Sequence, residues 1–211
     1  MQHLIKNHKS NIFSYFKSVS SIFKKHKPES DQIENKKNNR IQLLALYMSF
    51  RFNELNNVDV YYKKAFNLVN QIKPNSNEIE EFSKQLNLFE SDPFFKIKAG
   101  LFLSALINSS EYQHFKIFTN SFQSKIHFLG FQNTKNIEIF GDSGNNLGYK
   151  MQNGTIVVHG NTGDNIGFLM QGGKIYLKGN YKSIYAYLLG EVYLNEELIF
   201  KNGKKIKSSK F

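Results

Sequence analysis

Residues 141–179 read GDSGNNLGYKMQNGTIVVHGNTGDNIGFLMQGGKIYLKG, and the expected fold follows from this stretch. Its glycines, and two methionines between them, recur at a step of 19 residues. The equivalent positions are Gly141, Gly160 and Gly179; Gly144 and Gly163; Gly148 and Gly167; Met151 and Met170; and Gly154 and Gly173. A fixed step of this length indicates a solenoid, in which each coil is too small to bury its own apolar face and stacks on its neighbours.

The repeat extends beyond the quoted stretch in both directions. About four coils are predicted from the series Leu129-Gly130-Phe131, Leu147-Gly148-Tyr149, Ile166-Gly167-Phe168 and Tyr185-Ala186-Tyr187, with imperfect coils at both ends. The strand of the last coil, 191–194, arrives about two residues early. Equivalent side chains should stack about 4.8 Å apart. We expect two internal ladders, one of Ile137, Ile156 and Ile175, the other of Met151, Met170 and Leu189.

The repeated glycines are expected to shape the turns of each coil. A coil of fewer than 20 residues must turn sharply several times, and glycine adopts the positive φ of tight turns freely. Repetition favours this structural role over a phosphate-binding loop, which normally occurs once, between a strand and a helix. The predicted turn glycines are Gly130, Gly141, Gly144, Gly148, Gly154, Gly160, Gly163, Gly167, Gly173 and Gly179.

The order Gly-x-x-Gly-x-x-x-Gly, followed by Met and a further glycine, resembles the GXGXG-motif β-helix domain over roughly residues 125–200. That domain is the C-terminal part of the glutamate synthase large subunit and the C subunit of formylmethanofuran dehydrogenase. The resemblance implies a right-handed parallel β-helix that supports neighbouring catalytic domains or subunits. It implies no catalytic residue in this protein, and it does not extend to residues before 111.

An α+β fold with four parts is predicted. A basic amphipathic segment and a polar linker (28–39) occupy residues 1–39, a helical domain 40–110, the β-helix 111–200, and a disordered lysine-rich tail 201–211. Breaks at Asn56-Asn57, Pro74-Asn75-Ser76 and Ser91-Asp92-Pro93 separate the helices. The predicted helices are 40–55, 58–72, 77–90 and 94–108, and strands at 114–118 and 125–128 should lead into the coils.

The net charge of +11 is confined to the ends of the chain. Residues 41–200 contain equal numbers of basic and acidic side chains, so a basic nucleic-acid-binding face is not expected there. Weak contact of the lysine-rich termini with nucleic acid or another anionic surface remains open. No segment has the apolar length of a membrane-spanning helix. We expect a cytoplasmic protein; the alternative is organelle targeting through residues 1–28, which carry six lysines and no acid before Glu29.

No group of residues has the spacing of a catalytic, cofactor-binding or metal site. Cysteine is absent, the six histidines show no metal-ligand spacing, and no nucleophile motif is present. Asp142 and Asp164 correspond to Asn161 and Asn145 in the neighbouring copies, and this interchange favours turn chemistry over acid–base catalysis. His159 replaces Phe140 and Lys178, so the coil does not require it.

Two functions are compatible with these features. The favoured one is a noncatalytic scaffold or accessory subunit that offers a flat β-helix wall and an open end to a protein partner or to a second copy. The alternative is an enzyme or small-ligand-binding protein whose pocket lies between the helical domain and one coil face. Tyr149, Phe168, Tyr185 and Tyr187 are the residues predicted to line that cleft.

Overall fold

The structure is a computed structural model that describes residues 31–53, 57–185 and 189–206, with side chains from residue 39 onward. The protein divides into two compact units, 1–38 and 39–211. Only the beginning of the first helix is described in the first unit, and the predicted basic segment 1–28 lies outside the described residues. The predicted helical domain and β-helix both belong to the second unit and share one hydrophobic core.

Four α-helices precede the strands within the described ranges. They are α1 (Asp31–Ser49), α2 (Val58–Val69), α3 (Ser76–Gln85), which a 3₁₀ turn (Leu86–Phe89) extends, and α4 (Phe95–Ser109). Asparagines begin two of them: the Asn57 side chain accepts the Val60 N–H, and Asn75 forms a capping box with Glu78.

The first helix corrects the predicted linker. Residues 31–39, predicted as part of a polar linker, are helical, and α1 ends at Ser49 instead of residue 55. The stretch from Asp31 to Ser49 contains no proline or glycine, so no helix-breaking residue interrupts it. The apolar residues that stabilise the helix follow Arg40. Polarity alone was therefore a poor indicator of a linker.

The helices pack around α4, which is buried on nearly every side. Its sequence is mostly apolar, as expected of a core helix. Tyr47 of α1 contacts Phe82 of α3 and Phe102 of α4 edge-on, with ring centroids 5.9 and 5.3 Å apart. These aromatic contacts join three helices into one core.

The strands form one sheet in sequence order and build a β-solenoid of about four turns, which confirms the predicted fold class. Strands β1–β5 are parallel, and β5–β6 and β6–β7 are antiparallel. Their bounds are β1 (His114–Phe118), β2 (Asn136–Phe140), β3 (Thr155–Val158), β4 (Lys174–Leu177), β5 (Glu191–Leu194), β6 (Glu197–Lys201) and β7 (Lys204–Lys205).

The isoleucine ladder is confirmed. Ile137, Ile156 and Ile175 are in direct register and fully or almost fully buried, and Val192 of β5 continues the column. On the adjacent side of the coil, Leu147 and Ile166 are also buried, and the Gly167 N–H donates to the Leu147 carbonyl at 2.8 Å. Like side chains therefore lie over one another along the solenoid axis.

The last coil loses residues earlier than predicted. Ile184, not Tyr185, pairs with Ile166, and strand β5 arrives two residues early as expected. The Leu189 N–H bonds to the Met170 carbonyl just as the Gln171 N–H bonds to that of Met151. Leu189 thus occupies the outward glutamine column and is 54% exposed, so its predicted place in the methionine ladder is wrong.

The predicted strand 125–128 and the predicted disordered tail are also corrected. Residues 125–128 form no strand, because Phe128 adopts a left-handed φ of 59° that turns the backbone at a corner of the coil. At the other end, residues 197–205 fold into the antiparallel β6–β7 hairpin, whereas 207–211 lie outside the described residues.

Both edge strands of the parallel sheet, β1 and β5, are occupied, whereas an open end was expected. Helix α3 lies along β1, where the Phe118 N–H donates to Ser83 Oγ at 3.1 Å. At the opposite end the β6–β7 hairpin pairs with β5 and places Phe200 over Val192. Such end structures protect strand edges from pairing with other proteins.

Candidate functional site: the outer face of the sheet

The outward side chains of β1–β5 form one continuous polar and aromatic wall, because residues alternate between the two faces of a strand. The parallel register arranges them in three columns across the sheet. The columns are His114, Asn136, Thr155, Lys174 and Glu191; Lys116, Glu138, Val157, Tyr176 and Tyr193; and Phe118, Phe140, His159 and Lys178. We call this surface the outer wall.

Rings on the outer wall stack from one strand to the next. Phe140 lies between Phe118 and His159, with centroid distances of 5.0 and 4.8 Å and nearly parallel planes. Tyr176 and Tyr193 stack in the same way at 4.5 Å. The neighbouring ring covers much of each stacked face, so the edges are what solvent or a partner meets. Such edges suit the side chains of a protein surface better than a sugar or base, which needs an open ring face.

Side-chain hydrogen bonds and ion pairs connect several polar residues of the outer wall. His159 Nε2 lies 2.8 Å from Glu138 Oε1. Glu191 contacts Lys201 at 2.9 Å and accepts the Tyr193 hydroxyl at 2.7 Å. The Lys201 hydrogen bond, followed by that of Tyr193, lowers the pKa of Glu191 to about 2, and the same bond with Glu191 raises the pKa of Tyr193 to about 12. Glu191 is therefore ionised and paired, unlike a general acid.

Two shallow cavities open on the outer wall. The larger, about 580 Å³, lies between the beginning of α3 and strands β1–β3, where Asn77, Glu80, His114, Lys116 and Glu138 contribute polar groups. The smaller, about 410 Å³, lies across β3–β5 beside the hairpin. Thr155 lines both, so the two cavities adjoin. Among the described residues, no three acidic or histidine side chains are placed to hold a metal ion.

The residues predicted to line a cleft form an aromatic ladder on another side of the solenoid. Tyr149 stacks between Phe131 and Phe168 at 4.9 and 5.3 Å, and Phe168 contacts Tyr185 at 4.3 Å. Tyr62 of α2 stacks on the Phe131 ring, with the two centroids 4.5 Å apart. None of these residues lines the two cavities, and Tyr187 lies outside the described residues.

The turn glycines serve two purposes, of which the sequence predicted one. Six have the expected positive φ: Gly130, Gly141, Gly148, Gly154, Gly167 and Gly173. Positive φ is not the reason at Gly144, Gly160, Gly163 and Gly179, where a Cβ would collide with the coil before. At Gly179 that Cβ would lie 2.5 Å from the Gly160 carbonyl oxygen. These four glycines permit coils to stack closely.

The interchangeable Asp and Asn residues bond to the backbone of the next coil. Asp142 Oδ1 accepts the Asn161 N–H at 2.7 Å, and Asn161 Oδ1 accepts the Asn180 N–H at 3.0 Å. Partial burial alone would raise the pKa of Asp142, but Lys125 and the Asn161 N–H together lower it. Asn145 repeats the pattern, because its Oδ1 accepts the Asp164 N–H at 3.0 Å, while the Asp164 carboxylate itself accepts the Ser183 hydroxyl at 3.2 Å. An amide performs the same task as a carboxylate here, so the geometry fits turn chemistry.

A stripe of small and polar residues on α4 had only a weak signal in the sequence. Gly100, Ser104 and Asn108, four residues apart, face the first coil. Ser104 Oγ accepts the Phe131 N–H at 3.1 Å, and Asn108 Nδ2 donates to the Phe131 carbonyl at 2.9 Å. Only the spacing of these residues within an otherwise apolar helix hinted at such a role.

Comparisons with protein-family models, with curated proteins and with solved structures found no match to this protein. No helix in the described ranges combines the length and apolar character required to cross a membrane. The resemblance to GXGXG-motif domains therefore remains a prediction from the glycine pattern.

Proposed function

We propose that this protein is a noncatalytic scaffold or accessory subunit that presents the outer wall to a protein partner. The observation that supports this most directly is the stacked aromatic rows, which are held rigid by strand pairing and present ring edges to solvent. Tyrosine and phenylalanine are enriched in protein interfaces, and a rigid surface loses little conformational entropy on binding. The resemblance to GXGXG-motif domains, which support catalytic neighbours, points the same way.

The occupied edge strands favour the outer wall as the surface for a partner. Because α3 and the hairpin occupy the two end strands, a partner cannot add a coil there without displacing them. The outer wall combines partly buried apolar groups such as Val157 with a charged rim, the usual arrangement of a nonobligate interface.

The decisive experiment is purification of the tagged full-length protein from its native source, with associated proteins identified by mass spectrometry. Val157→Glu places a charge in the middle of the outer wall and should abolish copurification. Gln171→Glu adds the same charge at an exposed site outside the wall and should have no effect. Circular dichroism must show that both variants are folded. Recovery of an unassociated monomer, or retention of the partner by Val157→Glu, would contradict the proposal.

The second candidate is binding of a small polar ligand, and the cavity of about 580 Å³ beside α3 favours it. Its volume falls within the range of small-molecule sites, although its open, polar character differs from the enclosed apolar pockets typical of them. A purified monomer that retains a small molecule, and loses it on Lys116→Ala substitution, would favour this function. The lysine-rich end, including exposed Lys204 and Lys205, supports at most a weak additional contact with anionic surfaces.

A further inference from the structure

We propose that Asn153 is a site of spontaneous deamidation, by which the rim of the outer wall acquires a negative charge. The sequence contains two Asn-Gly steps within the described residues, Asn153-Gly154 and Asn202-Gly203. In such a step the following residue has no side chain to shield its backbone nitrogen, which can therefore approach the asparagine side chain. Sequence alone does not distinguish the two steps, whereas their hydrogen bonds do.

Asn153 leaves the reacting groups unoccupied. Its side chain is exposed and forms no hydrogen bond with any residue that the structure describes, and the Gly154 N–H likewise has no acceptor there. The hydrogen bonds of this step engage other atoms: the Asn153 N–H donates to the Asn133 carbonyl at 3.1 Å, and the Gly154 carbonyl accepts the Lys174 N–H at 3.0 Å. The side-chain amide of Asn153 and the backbone nitrogen of Gly154 are thus both available for reaction.

Asn202 is held by two bonds to one glycine. Its Oδ1 accepts the Gly190 N–H at 3.0 Å, and its own N–H donates to the Gly190 carbonyl at 2.9 Å. The Asn202 amide group cannot turn toward the Gly203 nitrogen without breaking the first of these bonds. The antiparallel hairpin therefore protects the second Asn-Gly step.

The reaction at Asn153 requires only water and base. The Gly154 nitrogen loses its proton to solvent and bonds to Cγ of Asn153; the bond between Cγ and Nδ2 then breaks, and Nδ2 leaves as ammonia. Water opens the resulting succinimide at either carbonyl and yields aspartate or isoaspartate, with no change in oxidation state. Because Asn153, Lys174 and Lys201 line the same cavity, the new carboxylate arises beside two lysines.

The test is incubation of the purified full-length protein at mildly alkaline pH, followed by peptide mapping for the mass change of amide to acid. In the folded protein, Asn153 should react at least about fivefold faster than Asn202, the factor that one ordinary hydrogen bond provides. In denaturant, where the Gly190 bonds are absent, the two rates should become similar. Asn153→Gln should eliminate the signal at that position without accelerating reaction at Asn202.

Equal rates in the folded protein would overturn the proposal, as would faster reaction at Asn202. So would an Asn153 that stays intact in the folded protein while it reacts in denaturant, since the solenoid turn would then protect it. The readout is a chemical rate in the free protein, so it is independent of whether the outer wall binds a partner.

Discussion

Gly100 of α4 lies directly against the backbone carbonyl of His127, in the first coil of the solenoid. The His127 N–H also donates to the Lys96 carbonyl at 2.8 Å, so helix and coil are in backbone contact along one turn of α4. A side chain at position 100 would occupy the place of that carbonyl. Close approach, more than helix propensity, explains a glycine in the middle of a core helix.

Gly100→Ala should therefore destabilise the protein by about 1–3 kcal/mol through overpacking, although the same change on an exposed helix stabilises by about 1 kcal/mol. Urea unfolding followed by circular dichroism measures the difference. Lys63→Ala, at an exposed position of α2, is the control and should change stability by less than about 0.5 kcal/mol. A Gly100→Ala variant as stable as the parent would show that α4 and the coil can separate freely.

His127 should make stability fall in mild acid. Its Nδ1 accepts the Asn145 N–H at 2.8 Å, and burial, with a smaller effect of Lys96, lowers its pKa below the usual 6.5. A lowered folded-state pKa means that the unfolded state takes up the proton first, so stability is full above about pH 6.5 and declines as pH falls toward the folded pKa. His127→Asn should remove this part of the pH profile, because its amide oxygen can accept the same bond without titrating.

The measurement for His127 is the free energy of unfolding at several pH values for the parent protein and two variants. Other groups contribute to the profile of each protein, so the difference between profiles isolates the histidine. Gln171→Asn, a change between two side chains that do not titrate at an exposed position, should keep the parent slope. If His127→Asn also kept the parent slope, protonation of His127 would not be the cause of the loss of stability in mild acid.

The periodic features of the sequence and the helix breaks at Asn57 and Asn75 predicted the fold well, whereas features that no residue type marks were missed. Glycine and isoleucine recur because every coil imposes the same demand at those positions. The left-handed corner at Gln132, Lys150 and Leu169 also recurs, with φ of 51–54°, but three unrelated side chains occupy it. Backbone stacking imposes that conformation, so the residue types at these positions do not indicate it. The sequence predicted a flat wall but not the composition of the outer wall, because its columns mix aromatic and charged residues and only the register brings them together.

Asp142 distinguishes turn chemistry from catalysis. Asp142→Asn should change stability by less than about 0.5 kcal/mol, because an asparagine already performs this task at position 161 and the exposed Lys125 ion pair contributes little. Asp142→Ala should cost about 1 kcal/mol, since the Asn161 N–H loses its acceptor. Thermal unfolding of both variants tests this. Equal losses in the two variants would indicate that the negative charge itself is required.

Met170 and Leu189 test the corrected register of the last coil. Met170 is 1% exposed, so Met170→Gln would bury an amide without partners and should cost about 2 kcal/mol or more. Leu189 occupies the outward column in which Gln152 and Gln171 precede it, so Leu189→Gln should be tolerated within about 0.5 kcal/mol. Chemical denaturation of the two variants gives the comparison. A large loss of stability from Leu189→Gln would contradict the corrected register. It would mean that Leu189 belongs to the buried methionine ladder and not to the outward glutamine column.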